Sequence, residues 1–202
     1  MSTVTPIIDR VEDLWPDFPG ARRLVGKRLF TCIVCDGWRA RDRPVLLLGD
    51  TDKAVSTALQ FLTYTSDITL LSSEKSRLSA GCRQKLAAAR ISLLQGAVRR
   101  VRVKEGDIAS VRLDDGRELK PELIFALYGS RPKTELLRAL PVALARNGHV
   151  RTDEKNRTSL PRLFAAGDVN NKHSHQVASA VHEGAEAAQA ANHALYPEFQ
   201  RV

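Results

Sequence analysis

The residues best suited to chemistry in this chain are two cysteines separated by two residues, Cys32 and Cys35, followed directly by Asp36 and Gly37. Thiols at this spacing can close a small disulfide if the first of them opens a helix. The helix N-terminus then lowers the pKa of the leading thiol and favours its thiolate, which is the reactive form. A carboxylate at position 36 can take and return the proton that thiol–disulfide exchange moves. The pattern therefore predicts a redox-active pair, with Asp36 as its candidate proton carrier.

Two other interpretations of the cysteine pair stay open. The same spacing can supply half of a zinc site, but a four-ligand site needs two more soft ligands. The only other cysteine is Cys82, and the chain has neither a second CxxC nor an HxxxH pattern. A pair of unreactive buried cysteines is the remaining alternative. Cys82, at the start of a predicted helical stretch, is interpreted as an unpaired thiol.

The composition narrows the classes of partner. The chain has 202 residues, of which 43% are hydrophobic and 27% charged, as in an ordinary soluble domain with or without appended pieces. A net charge of +8 would suit an acidic partner or nucleic acid. However, the basic residues are spread along the whole chain, and the 5% of aromatic residues are too few for a base-stacking surface. We therefore expect a solvated arginine-rich surface and no nucleic-acid partner.

The sequence also carries no sign of membrane insertion or secretion. No apolar run approaches the roughly 18 residues that a membrane helix needs. The first residues lack the basic and apolar regions of a signal peptide, and three cysteines do not suggest an extracellular disulfide framework. These observations predict a cytoplasmic protein without a membrane partner.

The stretch after the cysteines has the order of elements of a nucleotide-binding unit. An apolar strand at Val45–Leu48 is followed by a glycine turn, a helix over about residues 54–64, and a second strand at 68–71. A further helix is predicted at 83–89. Strand, glycine turn, helix and strand in this order form a βαβ unit.

The remaining patterns complete an α/β fold. Alternating runs at 98–103 and 108–113, with Leu119 after a glycine turn, predict an antiparallel meander. The other predicted elements are an edge strand at Ile7 and Ile8, a strand at 123–128, a helix at 134–140, a strand at 163–169 and a helix at Val177–Leu195. We expect a Rossmann-like three-layer domain, in which a central parallel sheet has helices on both faces and a meander against it. A C-terminal strand–helix segment extends from that domain.

These pieces, in this order, resemble the low-molecular-weight thioredoxin reductases, which are FAD-dependent pyridine nucleotide–disulfide oxidoreductases. The resemblance runs from about residue 11 to 196 and is carried by the CxxC-Asp-Gly motif, by 125–132 and by 163–169. It implies three regions: a remnant or junction of a flavin domain at 1–30, the CxxC with a nucleotide-binding-like domain at 31–136, and a C-terminal flavin-domain segment at 137–202.

The resemblance also implies residue roles. Cys35 would be the thiol near the flavin, Cys32 the thiol that attacks a partner disulfide, and Asp36 the proton carrier. Asp168 would hold the ribityl chain of FAD. The other residues placed at cofactor-binding positions are Gly129, Gly167, Gln176 and Val177. His175, which stands where the family has an arginine, is interpreted as a surface histidine.

The chain departs from the family at the flavin half-domain. No GxGxxG motif, which would cradle the FAD pyrophosphate on a helix N-terminus, precedes Cys32. FAD binding is therefore expected to need a flavin half supplied by another chain, or to have been lost with a truncated gene. Expressed alone, the chain is expected to hold no FAD tightly.

The nucleotide loop departs as well. Aligned with GxGxxA, Gly49 and Ala54 match, but Thr51 replaces the middle glycine that lets the backbone approach a pyrophosphate. Asp50 adds a negative charge, and Glu74 stands where the family has arginines for the NADPH 2′-phosphate. NADH is therefore favoured over NADPH, unless the turn binds nothing.

The leading hypothesis is a flavoprotein that passes electrons through FAD and the dithiol to a disulfide substrate, such as thioredoxin or a small disulfide. The chain is expected to form a homodimer, as is usual in the family. One alternative is a dithiol oxidase, or a reductase without a nicotinamide step, which the altered loop favours. The other is a non-catalytic remnant or interaction module that binds no flavin.

Overall fold

The computed structural model describes residues 5–8, as backbone alone, and residues 11–170, 172–173 and 175–196. Its strands are β1 Thr5–Ile8, β2 Val11–Asp13, β3 Leu29–Phe30, β4 Val45–Leu48, β5 Ile68–Ser72, β6 Ser92–Gln95, β7 Val98–Lys104, β8 Asp107–Leu113, β9 Glu118–Leu119, β10 Leu123–Ala126, β11 Ser130–Pro132 and β12 Leu163–Ala166. Its α-helices are α1 Ala21–Leu24, α2 Ile33–Asp36, α3 Asp52–Gln60, α4 Ala80–Ala88 and α5 Val177–Leu195. None of the described helices is both long enough and apolar enough to span a membrane.

The chain forms two compact units. One is Asp13–Gly129, and the other joins Met1–Glu12 to Ser130–Val202. Each unit is described separately below as the central unit and the terminal unit. The three regions that the resemblance implies, 1–30, 31–136 and 137–202, stay predictions.

The central unit is built on a five-stranded sheet in the order β3-β10-β4-β5-β6, in which every pair is parallel. A parallel sheet is covered on both faces, and all residues of β4 and β10 are accordingly buried. Val45 and Leu47 face a core with α3 and α4, whereas Leu46 and Leu48 face the opposite core. The predicted α/β fold class is confirmed.

The second face of that sheet is covered by an antiparallel meander. β7, β8 and β9 pair in this order, as predicted. Its buried residues Ile108, Val111 and Leu113 pack in the same core as Leu46 and Leu48. The short helix α1 contributes Ala21 and Leu24 to this core, so helices lie on both faces of the sheet.

The carboxyl ends of the five parallel strands share one edge of the sheet, which positions the candidate site. Cys32 comes two residues after β3, Gly49 directly follows β4, and Ser73 directly follows β5. Since β10 alone separates β3 from β4, the axes of these two strands lie ~10 Å apart. Ligands of open α/β sheets bind at this edge.

The terminal unit contains the parallel pair β1 and β12, and β11 pairs with β2. The edge strand predicted at Ile7 and Ile8 is thus part of β1. Phe164 and Ala166 of β12 pack against Ala187 and Ala190 of α5. Helix α5 has the bounds that the sequence predicts.

Several predicted elements differ from the structure. Helix α3 is Asp52–Gln60 rather than about 54–64, and β10 ends at Ala126 rather than at residue 128. The helix expected at 134–140 is only a 3₁₀ turn at Glu135–Leu137, because Pro141 disfavours helical backbone at Leu140 and so leaves less than two turns for an α-helix. Helix α4 starts at Ala80 rather than at residue 83, since the hydroxyl of Ser79 accepts a hydrogen bond from the Cys82 backbone N–H at 3.2 Å. The strand expected at 163–169 ends at Ala166.

Candidate functional site

The two cysteines of the CxxC motif form a disulfide, with a Cα–Cα distance of 5.3 Å. Cys32 is the N-cap of α2, and its Sγ accepts a hydrogen bond from the backbone N–H of Cys35 at 3.0 Å. The same donor can stabilise a thiolate on Cys32 once the disulfide opens. Cys82 is a free cysteine, in agreement with its interpretation as an unpaired thiol. Among the described residues, no group of three or more His, Cys, Asp or Glu could hold a metal ion.

Gly37 fixes the position of the disulfide turn on the core. A Cβ at this residue would lie 2.8 Å from Cε2 of Tyr64 and 2.9 Å from Cγ1 of Ile33. Tyr64 and Ile33 pack against the helix-covered core of the sheet. Glycine is therefore needed because α2 approaches this core too closely for a larger residue.

Asp36 directly follows Cys35 and accepts a hydrogen bond from Arg39. The Nε of Arg39 donates to Oδ1 of Asp36 at 2.9 Å. The guanidinium of Arg39 also lies over the rings of Trp38 and Phe30, 4.6 Å and 5.3 Å from their centroids. The structure thus places Asp36 beside the disulfide, while its role as proton carrier stays a prediction. The sequence interpretation missed Arg39, although an Asp–Arg spacing of three residues is a recognisable pairing signal.

Apolar side chains surround the disulfide on the protein surface. Val34 is 76% exposed and Trp38 is 58% exposed. The Nε1 of Trp38 donates to the carbonyl oxygen of Cys35 at 3.1 Å, which orients the indole toward the cysteine turn. A disulfide partner that approaches Cys32 would meet this apolar surface.

The nucleotide-like loop keeps one feature of a dinucleotide site. A Cβ at Gly49 would lie 2.5 Å from the Cβ of Ala54, so Gly49 and Ala54 permit a close approach of β4 and α3. This is the packing role of the small residues in GxGxxA. The strand and helix of the motif are therefore intact.

The residues between Gly49 and Ala54 do not fit a pyrophosphate. Thr51 is the N-cap of α3, but its side chain makes no capping hydrogen bond. The Oδ1 of Asp50 accepts the backbone N–H of Ser73 at 2.6 Å. A carboxylate and a branched side chain thus stand where phosphate oxygens would need bare backbone donors. Glu74 is exposed just after β5.

Gly129 and the predicted flavin residues lie at strand and helix ends. Gly129 has φ +82° after β10, and Gly167 has the same φ after β12, so both adopt a left-handed conformation that favours glycine. Asp168 is half-buried beside Gly167. Gln176 is the N-cap of α5, and Val177, its first residue, is 82% exposed. The roles of all these residues in binding a cofactor stay predictions.

A buried glutamate that the sequence interpretation missed holds the turn at Gly167. The carboxylate of Glu183 accepts hydrogen bonds from Gly167 N at 2.8 Å and Asn170 Nδ2 at 2.7 Å, and it pairs with His173 Nδ1 at 2.6 Å. Burial raises the pKa of Glu183, but the hydrogen bonds from His173, Gly167 and Asn170 outweigh it, and the pKa lies below its usual value. Glu183 therefore connects the turn after β12 to α5. Nothing in the local pattern distinguishes it from an exposed helix glutamate.

His149 is a second residue without a sequence signal. It is 6% exposed, and neither ring nitrogen has a hydrogen-bond partner among the described residues. It precedes Val150, whose N–H donates to Val169 O at 2.9 Å, and its ring centroid lies 6.0 Å from that of His175. Burial lowers the pKa of His149, and His175 lowers it further, so the imidazole is neutral at pH 7. The two ring nitrogens of His149 therefore lack partners near the segment that contains Asp168 and Val169. A hydroxyl-rich group such as the ribityl chain of FAD could form hydrogen bonds with them.

Known proteins with this arrangement identify the family. Residues 11–187 match the family model described as "Pyridine nucleotide-disulphide oxidoreductase". The thioredoxin reductase of Treponema pallidum (strain Nichols) is 31% identical over 181 residues, which are 86% of this chain and 58% of that protein. One component of the alkyl hydroperoxide reductase of Pseudomonas putida is 29% identical over 181 residues, 86% of this chain and 35% of that protein.

Solved structures agree with this assignment. The crystal structure of HlmI superposes with a TM-score of 0.86 at 29% identity, covering 95% of this chain and 60% of that one. The thioredoxin reductase of Streptococcus pyogenes MGAS5005 has the same fold, with a TM-score of 0.86 at 24% identity over 95% of this chain and 65% of that one. This chain spans less than two thirds of the length of each of these proteins. The resemblance predicted from the motifs is confirmed, and the chain belongs to the pyridine nucleotide-disulphide oxidoreductase family.

Proposed function

We propose that this chain carries the thiol–disulfide centre of a thioredoxin-reductase-like flavoprotein oxidoreductase. The observation that supports this most directly is the Cys32–Cys35 disulfide at the carboxyl edge of the central sheet. Relatives named as a thioredoxin reductase and as part of an alkyl hydroperoxide reductase support the same class of reaction. The surrounding surface leaves Val34 and Trp38 open to a partner.

The proposed exchange uses the two thiols in sequence. Two electrons and two protons convert the Cys32–Cys35 disulfide into two thiols. The Cys32 thiolate then attacks one sulfur of the partner disulfide, forms a mixed disulfide and releases the other partner sulfur as a thiolate. The Cys35 thiolate attacks Sγ of Cys32, which restores the internal disulfide and releases the partner as a dithiol.

Neighbouring groups of the chain assist the exchange at both sulfur atoms, Sγ of Cys32 and Sγ of Cys35. The backbone N–H of Cys35 points at Sγ of Cys32 and stabilises negative charge there. Asp36 is next to Cys35 and would accept the proton of its thiol as that sulfur attacks Sγ of Cys32, and would then give the proton to the thiolate of the departing partner. Arg39, which donates to Asp36, holds that carboxylate in place.

FAD would be held in part by the terminal unit. Gly167 offers the turn after β12, Asp168 its carboxylate, and Gln176 and Val177 the start of α5. Bound FAD, in its reduced form, would supply the electron pair that reduces the disulfide. This chain spans less than two thirds of the length of its relatives. We propose that the FAD pyrophosphate is bound mainly by a flavin half-domain outside this sequence, which a separate chain can supply.

The family implies a nicotinamide cofactor beside FAD. For any nicotinamide that this chain binds, we propose that NADH is preferred to NADPH, because Glu74 would repel a 2′-phosphate but can accept from a ribose hydroxyl. The proposed partners are thioredoxin or a small disulfide and a second copy of the chain, and the proposed location is the cytoplasm.

Trapping the mixed disulfide tests the proposed function. We would prepare Cys35→Ser and Cys32→Ser, both with Cys82→Ser so that the third thiol cannot react. Incubated with oxidised thioredoxin, the Cys35→Ser variant should accumulate a mixed disulfide on Cys32, visible by intact-mass spectrometry, while the Cys32→Ser variant should accumulate little. Equal trapping by both variants, or none by either with thioredoxin and with dithionitrobenzoate, would contradict the proposal.

A further inference from the structure

The turn after β4 is tied to the turn after β5 by a carboxylate. Asp50 lies directly after Gly49, and its Oδ1 accepts the backbone N–H of Ser73 at 2.6 Å. The backbone of Asp50 takes part as well, because its carbonyl oxygen accepts the N–H of Arg77 at 3.0 Å. The segment that follows β5 is therefore held against the nucleotide-like loop by protein groups alone.

A second carboxylate makes a similar connection between helices. Asp52 is the first residue of α3, and its Oδ1 accepts the backbone N–H of Ser79 at 2.8 Å. Ser79 is the N-cap of α4. The hydrogen bond from the Ser79 backbone lowers the pKa of Asp52, so this side chain is an anion at neutral pH. The two braces flank Thr51.

A pyridine dinucleotide requires the opposite arrangement. Its pyrophosphate needs uncommitted N–H donors and the positive end of the helix dipole at the start of α3. Here the carboxylates of Asp50 and Asp52 bring two negative charges to that start. In addition, the Ser73 N–H, which lies at the end of the second strand where a ribose would bind, is already paired.

The cavity beside this edge is small, and Asp50, Thr51 and Asp52 do not line it. A cavity of about 120 Å³ is lined by residues that include Leu48, Leu71, Ser73, Tyr128 and Asp17. Ligand sites for molecules of cofactor size are roughly 300 Å³ or more. Asp17 adds another carboxylate to the lining. Burial raises the pKa of Tyr128 to about 12 and the charge of Asp50 contributes, so the phenol stays neutral.

Building on the proposed function, we infer that Asp50 and Asp52 are specificity-determining residues that close this edge of the sheet against pyridine dinucleotides. They bring two negative charges to the start of α3, and Asp50 also occupies the Ser73 N–H, so a dinucleotide pyrophosphate would be repelled at the position where it needs positive charge. Thr51 reinforces them by keeping the backbone out of reach of a phosphate.

Restoring the loop tests this role. The variant Asp50→Asn/Thr51→Gly recreates the glycine pattern and removes one charge, while an asparagine Oδ1 can still accept the Ser73 N–H and so protect the fold. Asp67→Asn is the matched control, because it removes one exposed charge from the amino-terminal edge of the same sheet. NADH binding to each protein would be measured by isothermal titration calorimetry, with thermal unfolding as a check on folding.

The wild type and Asp67→Asn should bind NADH no tighter than millimolar, and Asp50→Asn/Thr51→Gly should bind at least about tenfold tighter. Micromolar binding by the wild type overturns the inference, and so does a folded restored variant that gains nothing. Asp50→Asn and Asp52→Asn, each measured alone, must also bind NADH more tightly than the wild type, and this requirement stands if the double variant does not fold. Because nucleotide binding is measured without turnover and thiol trapping without nucleotide, the two tests can fail separately.

Discussion

Two turns at the carboxyl edge of the central sheet, one after β3 and one after β4, differ in what their side chains do. The disulfide turn after β3 keeps its reacting sulfurs and is surrounded by exposed apolar side chains, Val34 and Trp38. In the turn after β4, Thr51 and Asp52 are exposed, and the carboxylate of Asp50 accepts the backbone N–H of Ser73. Both turns belong to one parallel sheet, and their strands lie ~10 Å apart.

The difference shows which parts of the unit carry chemistry. β4 and β10 are buried throughout and form the shared support, whereas the residues that decide reactivity or binding stand in the turns after the strands. A change in a turn can therefore remove one activity and leave its neighbour intact, because the packing of the strands does not depend on it.

The largest expected effect concerns that shared support. Gly49→Ala should lower the free energy of unfolding by about 1–3 kcal/mol, because the new Cβ would lie 2.5 Å from the Cβ of Ala54 and only a backbone shift can relieve the clash. Gly37→Ala should cost less within the same range, since Tyr64 and Ile33 can relieve part of the clash by moving their side chains. Denaturant unfolding monitored by circular dichroism measures both values.

Gly81→Ala is the control for both substitutions. Gly81 lies in α4, where an added Cβ meets nothing within 4 Å, so alanine should be neutral or stabilise by up to ~1 kcal/mol. If Gly49→Ala is as stable as Gly81→Ala, then the close packing of β4 against α3 at Gly49 does not stabilise the unit. The contrast between well-packed strands and variable turns would then be wrong.

The sequence predicted the support better than the contacts in the turns. Strands β4 and β10 are short apolar runs that must be buried, and the CxxC spacing sufficed to predict the disulfide. β6 was missed, because four residues with polar ends on a sheet edge show no alternation. Asp50 was expected to repel a phosphate, but its bond to Ser73 joins residues 23 apart and has no local signal.

The terminal unit was predicted less completely for the same reason. The strand β12 and the bounds of α5 follow from their apolar and alanine-rich patterns. The hydrogen bonds of Glu183 and the burial of His149 arise only when distant segments pack together. A polar residue whose partners are 10 or more positions away cannot be told from a surface residue by its neighbours in sequence.

A smaller effect is expected at the surface beside the disulfide. Trp38→Ala should slow the reaction of the reduced chain with oxidised thioredoxin roughly fivefold, about 1 kcal/mol, because it removes an exposed aromatic anchor. The reaction with dithionitrobenzoate, which is too small to need that surface, should change less. Stopped-flow measurement of both reactions gives the ratio.

Trp38→Phe separates the apolar surface from the hydrogen bond that the indole donates to Cys35 O. Phenylalanine keeps most of the ring area but has no donor, so the thioredoxin rate should stay near that of the wild type. Equal losses for both variants and both substrates would instead assign Trp38 to the geometry of the cysteine turn.

The smallest effect is expected at the Asp52 brace and depends on pH. The bond from the Ser79 backbone lowers the pKa of Asp52 below its ordinary value of 3.8. A carboxyl group whose pKa is lower in the folded chain contributes stability above the unfolded pKa, and this contribution is lost as the pH falls through the folded pKa. Asp52→Asn should therefore lower the midpoint of thermal unfolding slightly at pH 7, and the difference from wild type should shrink as the pH falls below 3.8.

Asp67→Asn, which removes the same charge but no brace, should show a smaller pH-dependent difference. A wild type and an Asp52→Asn variant with parallel melting curves from pH 7 to pH 2.5 would show that the brace contributes nothing, and the nucleotide-like turn would then owe its closure to Asp50 alone.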